Sequence, residues 1–112
     1  MATFFATIAY ELDPATPADA RKLLRAEMVG RRWQDKSNGH PLPGNVLWAR
    51  RAAGPSETTD DVHRACGVDL ASAVAAVAER GLTIAVRRAW VQVAGSGTYG
   101  LVAIPAPTGA AR

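Results

Sequence analysis

From Thr3 to Leu12 the chain alternates. Phe4, Ala6, Ile8, Tyr10 and Leu12 fall on one side, and Phe5, Thr7, Ala9 and Glu11 on the other. A period of two with one strongly apolar face predicts a half-buried strand. "DPATPAD" breaks the pattern and predicts a helix start, with Thr16 as N-cap, Pro17 at the first helical position and Asp19 completing a capping-box-like pattern. Ala20, Leu24 and Met28, with Leu23 alongside, give a helical stripe that runs to about Val29, and Gly30 stops it. Arg31 to Lys36 reads as a short second strand. Asn38-Gly39 predicts a hairpin turn, Pro41 and Pro43 interrupt the ladder, and Asn45 to Ala52 reads as a third strand. Val62, Cys66, Leu70, Ala73 and Val77 then line one face of a second helix, with Gly67 a place to bend or break it and Gly81 its end. Leu82 to Ala94 is a β-branched strand, and Tyr99 to Ile104 a last short one after a glycine-serine turn.

The order strand, helix, strand, strand, helix, strand predicts an α+β fold, a ferredoxin-like βαββαβ sandwich with an extra C-terminal strand. Two helices should cover one face of an antiparallel sheet. A doubly wound α/β fold is the weaker alternative, because a short hairpin and not a helix joins the second and third strands. Residues 1–104 form one domain on this reading, and residues 105–112, rich in proline and alanine, a flexible tail.

Composition adds limits. A chain of 112 residues, 48% hydrophobic and 21% charged, has the balance of one ordered domain with a modest core. One cysteine excludes an intramolecular disulfide and a multi-cysteine zinc site, and fits a reducing cytoplasm. The N-terminal stretch lacks a charged n-region and a long apolar run, so neither a signal peptide nor a membrane span is expected. The net charge of +3 permits a polyanionic partner without requiring one. Nearly all the basic residues are arginines, which suit bidentate phosphate contact and ring stacking.

All three tryptophans lie beside arginine pairs: Arg31-Arg32-Trp33, Trp48 before Arg50-Arg51, and Arg87-Arg88 before Trp90. Neighbours within a strand point to opposite faces, so a pair can share a ligand only at a strand end. A hairpin symmetric about His40 and Pro41 would set Trp33 opposite Trp48 and Arg31 opposite Arg50, with four arginines at one end of the sheet. With the third strand taken as parallel to the first, that end would lie near Glu11 and Asp13. Two readings follow: an ion network in which Glu11, Asp13 and Asp35 neutralise the arginines, or a phosphate groove with an aromatic stacking platform. Phe5, on the face away from the helices, suits either the platform or a dimer contact.

Catalytic signals are sparse. The chain has no phosphate-binding loop, dinucleotide fingerprint, HExxH or nucleophile elbow. His40, in an exposed turn beside basic residues, and Glu11 are the candidate proton-transfer groups. Glu11 and Asp13 leave the same side of the strand end. They could share a divalent cation across a twofold axis, although a polar strand end explains them more simply. No metal or cofactor is expected.

The stretches "ATFFATIAYEL", "DKSNGHPLPGNVLWAR" and "IAVRRAW", in that order, resemble the GhoS-type antitoxin endoribonucleases of toxin–antitoxin systems and the small ferredoxin-like nuclease of CRISPR adaptation. In the latter an acidic residue ends the first strand, usually aspartate where Glu11 stands here. The resemblance implies a small RNA-interacting protein, an antitoxin-like endoribonuclease if it cleaves. Arg31, Arg32, Arg50, Arg51, Arg87 and Arg88 would contact nucleic acid, with Trp33 or Trp48 stacking or bracing the sheet. The alternative is a non-catalytic homodimeric interaction module, paired through the sheet face or the C-terminal strand.

Overall fold

In the computed structural model, which describes residues 2–95, the chain forms an α+β structure with two helices and a mostly antiparallel sheet. Strand β1 spans Ala2–Leu12, helix α1 Ala18–Gly30, the two-residue strands β2 and β3 Lys36–Ser37 and His40–Pro41, β4 Val46–Ala53, helix α2 Thr59–Glu79 and β5 Val86–Ala94. The main sheet has the order β4-β1-β5, antiparallel throughout, and β2 pairs with β3 as a separate hairpin. The expected strand over Tyr99 to Ile104 lies outside the described residues.

The alternation of β1 builds the core. Ala6, Ile8, Tyr10 and Leu12 are buried, and β4 adds Leu47, Ala49 and Ala53 on the same face. Against them pack Ala20, Leu24 and Met28 of α1 and Val62, Cys66, Leu70, Ala73 and Val77 of α2. Both helical stripes are those the spacing predicts. Helix α2 runs unbroken through Gly67, and Gly81 follows it in the left-handed region at φ 81°. At its start Thr58 and Asp61 form a reciprocal capping box. The Asp61 N–H donates to Thr58 Oγ1 (3.3 Å) and the Thr58 N–H to Asp61 Oδ2 (2.8 Å).

The expected capping box at α1 does not form. Pro17 holds the N-cap position with no side-chain cap, and Thr16 is buried. The preceding loop is organised by Asp13 instead. Its carboxylate accepts from the Ala15 N–H (2.8 Å), and Arg21 donates back to the carbonyls of Asp13 and Thr16 (3.0 and 3.1 Å).

The second strand also differs from expectation. Arg31 caps α1 and Arg32 turns the chain at φ 73°, so of the predicted strand there remain the Gln34–Trp48 bridge and Lys36, which opens β2. Asn38 (φ 51°) and Gly39 (φ 80°) close a tight hairpin that sets Lys36 opposite Pro41 and Ser37 opposite His40. Leu42 to Asn45 then loops out before β4. Arg25 holds that loop by donating to the carbonyls of Gly44 (2.7 Å), Val46 (3.3 Å), Asp35 (3.3 Å) and Leu42 (3.4 Å). The loop is therefore not symmetric about His40 and Pro41, and the strand-end pairing of arginines with arginines does not occur.

Candidate nucleic-acid interface

The antiparallel register decides which charged and aromatic groups share a surface. Residues directly opposite across a ladder point to the same side of the sheet. With Ala6, Ile8 and Tyr10 turned to the helices, the other face of β1 presents Thr3, Phe5, Thr7, Ala9 and Glu11. Across the sheet run the rows Arg50–Phe5–Ala94, Trp48–Thr7–Gln92 and Val46–Ala9–Trp90, with Glu11 opposite Arg88 at the end. Successive same-face positions on β1 lie roughly 7 Å apart, so the three rings are spread across the face.

The rings differ in availability. Trp90 is 56% exposed. Phe5 is half-buried beneath Arg50, whose guanidinium carbon lies 5.7 Å from the ring centroid. Trp48 is also half-buried, and its indole N–H donates to the Lys36 carbonyl at 2.8 Å, bracing the small hairpin against the sheet edge.

Trp33 belongs to the other side. It is 1% exposed, in the core, with its indole N–H donating to Asp69 Oδ2 at 3.0 Å. Arg51 completes this cluster. It pairs with the Asp69 carboxylate, and its guanidinium carbon lies 5.0 Å from the Trp33 ring centroid. Trp33 and Trp48 thus point to opposite faces and are not a cross-strand pair. Arg50 and Arg51 lie inside β4, so the sheet separates them too.

The remaining candidates are dispersed. Arg31 pairs with Glu27 at 2.7 Å, Arg32 is exposed in the turn after α1, and His40 is exposed on the β2–β3 hairpin. Strand β4 runs antiparallel to β1, not parallel as the sequence reading takes it. Arg50 and Arg51 therefore face Phe5 and Phe4, near the opposite end of β1 from Glu11. The expected network of Glu11, Asp13 and Asp35 around the four arginines is replaced by separate pairs.

Glu11 is instead bound by Arg88, whose Nε donates to Oε1 at 2.6 Å. That hydrogen bond, helped by the charges of Arg88 and Arg87, holds the Glu11 carboxyl below the ordinary glutamate range. A carboxylate kept ionised in this way is a standing hydrogen-bond acceptor and holds no proton to give as a general acid. A register shift between Glu11 and Leu12 inserts Arg87 into β5 as an extra residue, so that Arg87 and Arg88 both stay exposed beside Glu11.

Two cavities adjoin this end of β1. One, of about 350 Å³, is lined by Ala9, Glu11, Asn45, Arg88 and Trp90, among others. The second, of about 420 Å³, shares Tyr10, Glu11 and Asn45 with it and extends to Arg21 and Gly44. Burial pushes the Tyr10 phenol upward against the influence of Arg25, and it likewise raises the Cys66 thiol, which is enclosed in the core. Among the described residues no group of three or more histidine, cysteine or acidic side chains could hold a metal ion, and no helix is long and apolar enough to cross a membrane.

Arginine adjacency points to Trp33 or Trp48 as the stacking ring, whereas the exposed ring is Trp90, with Gln92 next to it on the same face. The signal for both is present. Val91 and Val93 alternate toward the helices, which puts Trp90 and Gln92 on the other face. Compared with protein-family models, with curated proteins and with solved structures, the chain matches none.

Proposed function

We propose that the protein binds single-stranded RNA across the sheet face turned away from the helices. The observation that carries this reading is Trp90. It is a large ring 56% exposed on a strand, in line with Arg88 and Gln92 and across the sheet from the Arg50-covered Phe5. Exposed rings stack unpaired bases, arginines meet the backbone phosphates, and Thr3, Thr7 and Gln92 supply hydroxyl and amide groups for the ribose 2′-hydroxyl. The fold that presents this face is, on our reading, ferredoxin-like, with its second strand reduced to the Gln34–Trp48 bridge beside β4. Cleavage does not form part of the proposal. Glu11 is held ionised by Arg88, and His40 lies on a separate hairpin.

Fluorescence anisotropy with a labelled uridine oligonucleotide at low salt tests the reading. Trp90→Ala should weaken binding about tenfold or more, the usual effect of removing one stacking ring. Wild-type protein that leaves the probe free at low salt would refute it. The exposed Trp90 equally favours a second copy of the chain covering this face. In that case Trp90→Ala shifts the sedimentation coefficient from dimer to monomer and the probe never binds.

A further inference from the structure

The 350 Å³ cavity at the end of β1 combines a stacking ring with a paired donor and acceptor. It is at the small end of ligand-pocket sizes, about 300–1,000 Å³, room for one base and not for a duplex. Trp90 forms one wall, Ala9 opposite it leaves space above the sheet, and Glu11 and Arg88 stand together beside it.

The ion pair uses only part of each group. Arg88 donates through Nε to Glu11 Oε1, and this is the only hydrogen bond to that carboxylate among the described residues. Oε2 remains an acceptor, and the terminal nitrogens of Arg88, 80% exposed as a side chain, remain donors. Side by side, the pair offers a donor fork next to an acceptor carboxylate. Guanine has the matching edge: the O6 acceptor followed by two adjacent donors, N1–H and the N2 amine. Adenine, cytosine and uracil each lack two adjacent donor positions on that edge, so any of them would leave the carboxylate facing an acceptor.

We propose that this cavity is a guanine-selective subsite, with the base stacked on Trp90, its N1–H and N2 amine donated to Glu11 and its O6 facing Arg88. This rests on the RNA-binding reading above and gives it a base preference. It also assigns the Arg88–Glu11 pair a role beyond a surface ion pair, which in itself contributes little to stability.

Three labelled oligonucleotides of about eight nucleotides test it by anisotropy at one low salt concentration. The first is all uridine, the second carries one central guanosine, and the third has inosine in that place, which lacks the N2 amine. Guanosine should bind about tenfold more tightly than the uridine tract, with inosine between them. In Glu11→Gln, which loses the all-acceptor carboxylate, the ratio of the two dissociation constants should fall to near unity. Circular dichroism confirms that this variant is folded. Equal affinity for all three oligonucleotides in the wild type overturns the guanine subsite while leaving RNA binding intact. So does an undiminished guanosine preference in folded Glu11→Gln, or tighter binding of two further oligonucleotides that carry adenosine or cytidine in the central position. Absence of binding to every oligonucleotide overturns the underlying RNA reading as well.

Discussion

At the scale of single residues, the strongest constraint is the meeting of Trp33, Arg51 and Asp69 between β4 and α2. The Asp69 carboxylate accepts from both the indole and the guanidinium, and Arg51 lies over the indole ring. Removing the acceptor leaves a buried indole N–H unpaired and a largely covered guanidinium without its counter-ion. The loss of such an acceptor exceeds the worth of an exposed ion pair. Asp69→Ala should therefore destabilise the fold by about 2–3 kcal/mol. Urea denaturation should show a lower midpoint with an unchanged slope, since the surface exposed on unfolding is the same. The cluster was hard to foresee. Asp69 sits one residue from the apolar stripe of α2, and nothing in its local sequence says which tryptophan it will meet. Charge adjacency drew attention to Arg-Trp neighbours along the chain, whereas burial separates Trp33 from Trp90.

Among elements, helix α2 shows what periodicity captures and what it leaves open. Its five buried positions follow from spacing alone, because a stripe of four- and three-residue steps has one way to face a sheet. Gly67 read as a possible break, yet the helix continues through it, carried by tertiary packing on either side. The Gly67 position is exposed and a Cβ there would meet nothing within 4 Å. Gly67→Ala should thus stabilise the protein by about 1 kcal/mol through helix propensity, seen as a higher thermal midpoint. At the helix start the opposite holds. Thr58→Ala removes the hydroxyl half of the reciprocal cap, leaving the backbone N–H to Asp61, and should cost about 1 kcal/mol. The Asp61 half depends on pH. Hydrogen bonds from the Thr58 backbone N–H and hydroxyl, with the nearby charge of Arg64, hold the Asp61 carboxyl below the ordinary aspartate range. A depressed folded value contributes stability that is present above the ordinary aspartate range and is lost as pH falls through the depressed value. Thermal melts of wild type and Asp61→Asn, which removes the carboxylate itself, should therefore converge in acid and separate toward neutrality.

For the whole molecule, the order of strands and helices was legible from the alternating and helical patterns. The direction and register of β4 were not, since patterning fixes the face a strand buries but not the partner residue it meets. That missing register carried the error about the arginines. Once β4 runs antiparallel to β1, Arg50 and Arg87 are left along the open face and its end, Arg88 stays beside them but is bound to Glu11, and Arg31, Arg51 and Arg64 pair with Glu27, Asp69 and Asp61. RNA held on the open face would thus set two arginines, Arg50 and Arg87, against its phosphates and not the whole positive charge of the chain. Each phosphate neutralised on a single strand contributes about 0.7 to the salt slope. Two contacts predict that the logarithm of the association constant falls with the logarithm of salt at a slope of about −1.4. Arg50→Ala should reduce that slope by about 0.7, while Arg64→Ala, on α2 behind the sheet, should leave it unchanged. Anisotropy titrations across a salt series measure both. A slope that responds to Arg64 and ignores Arg50 would place the RNA on the helical side and remove the open face from consideration.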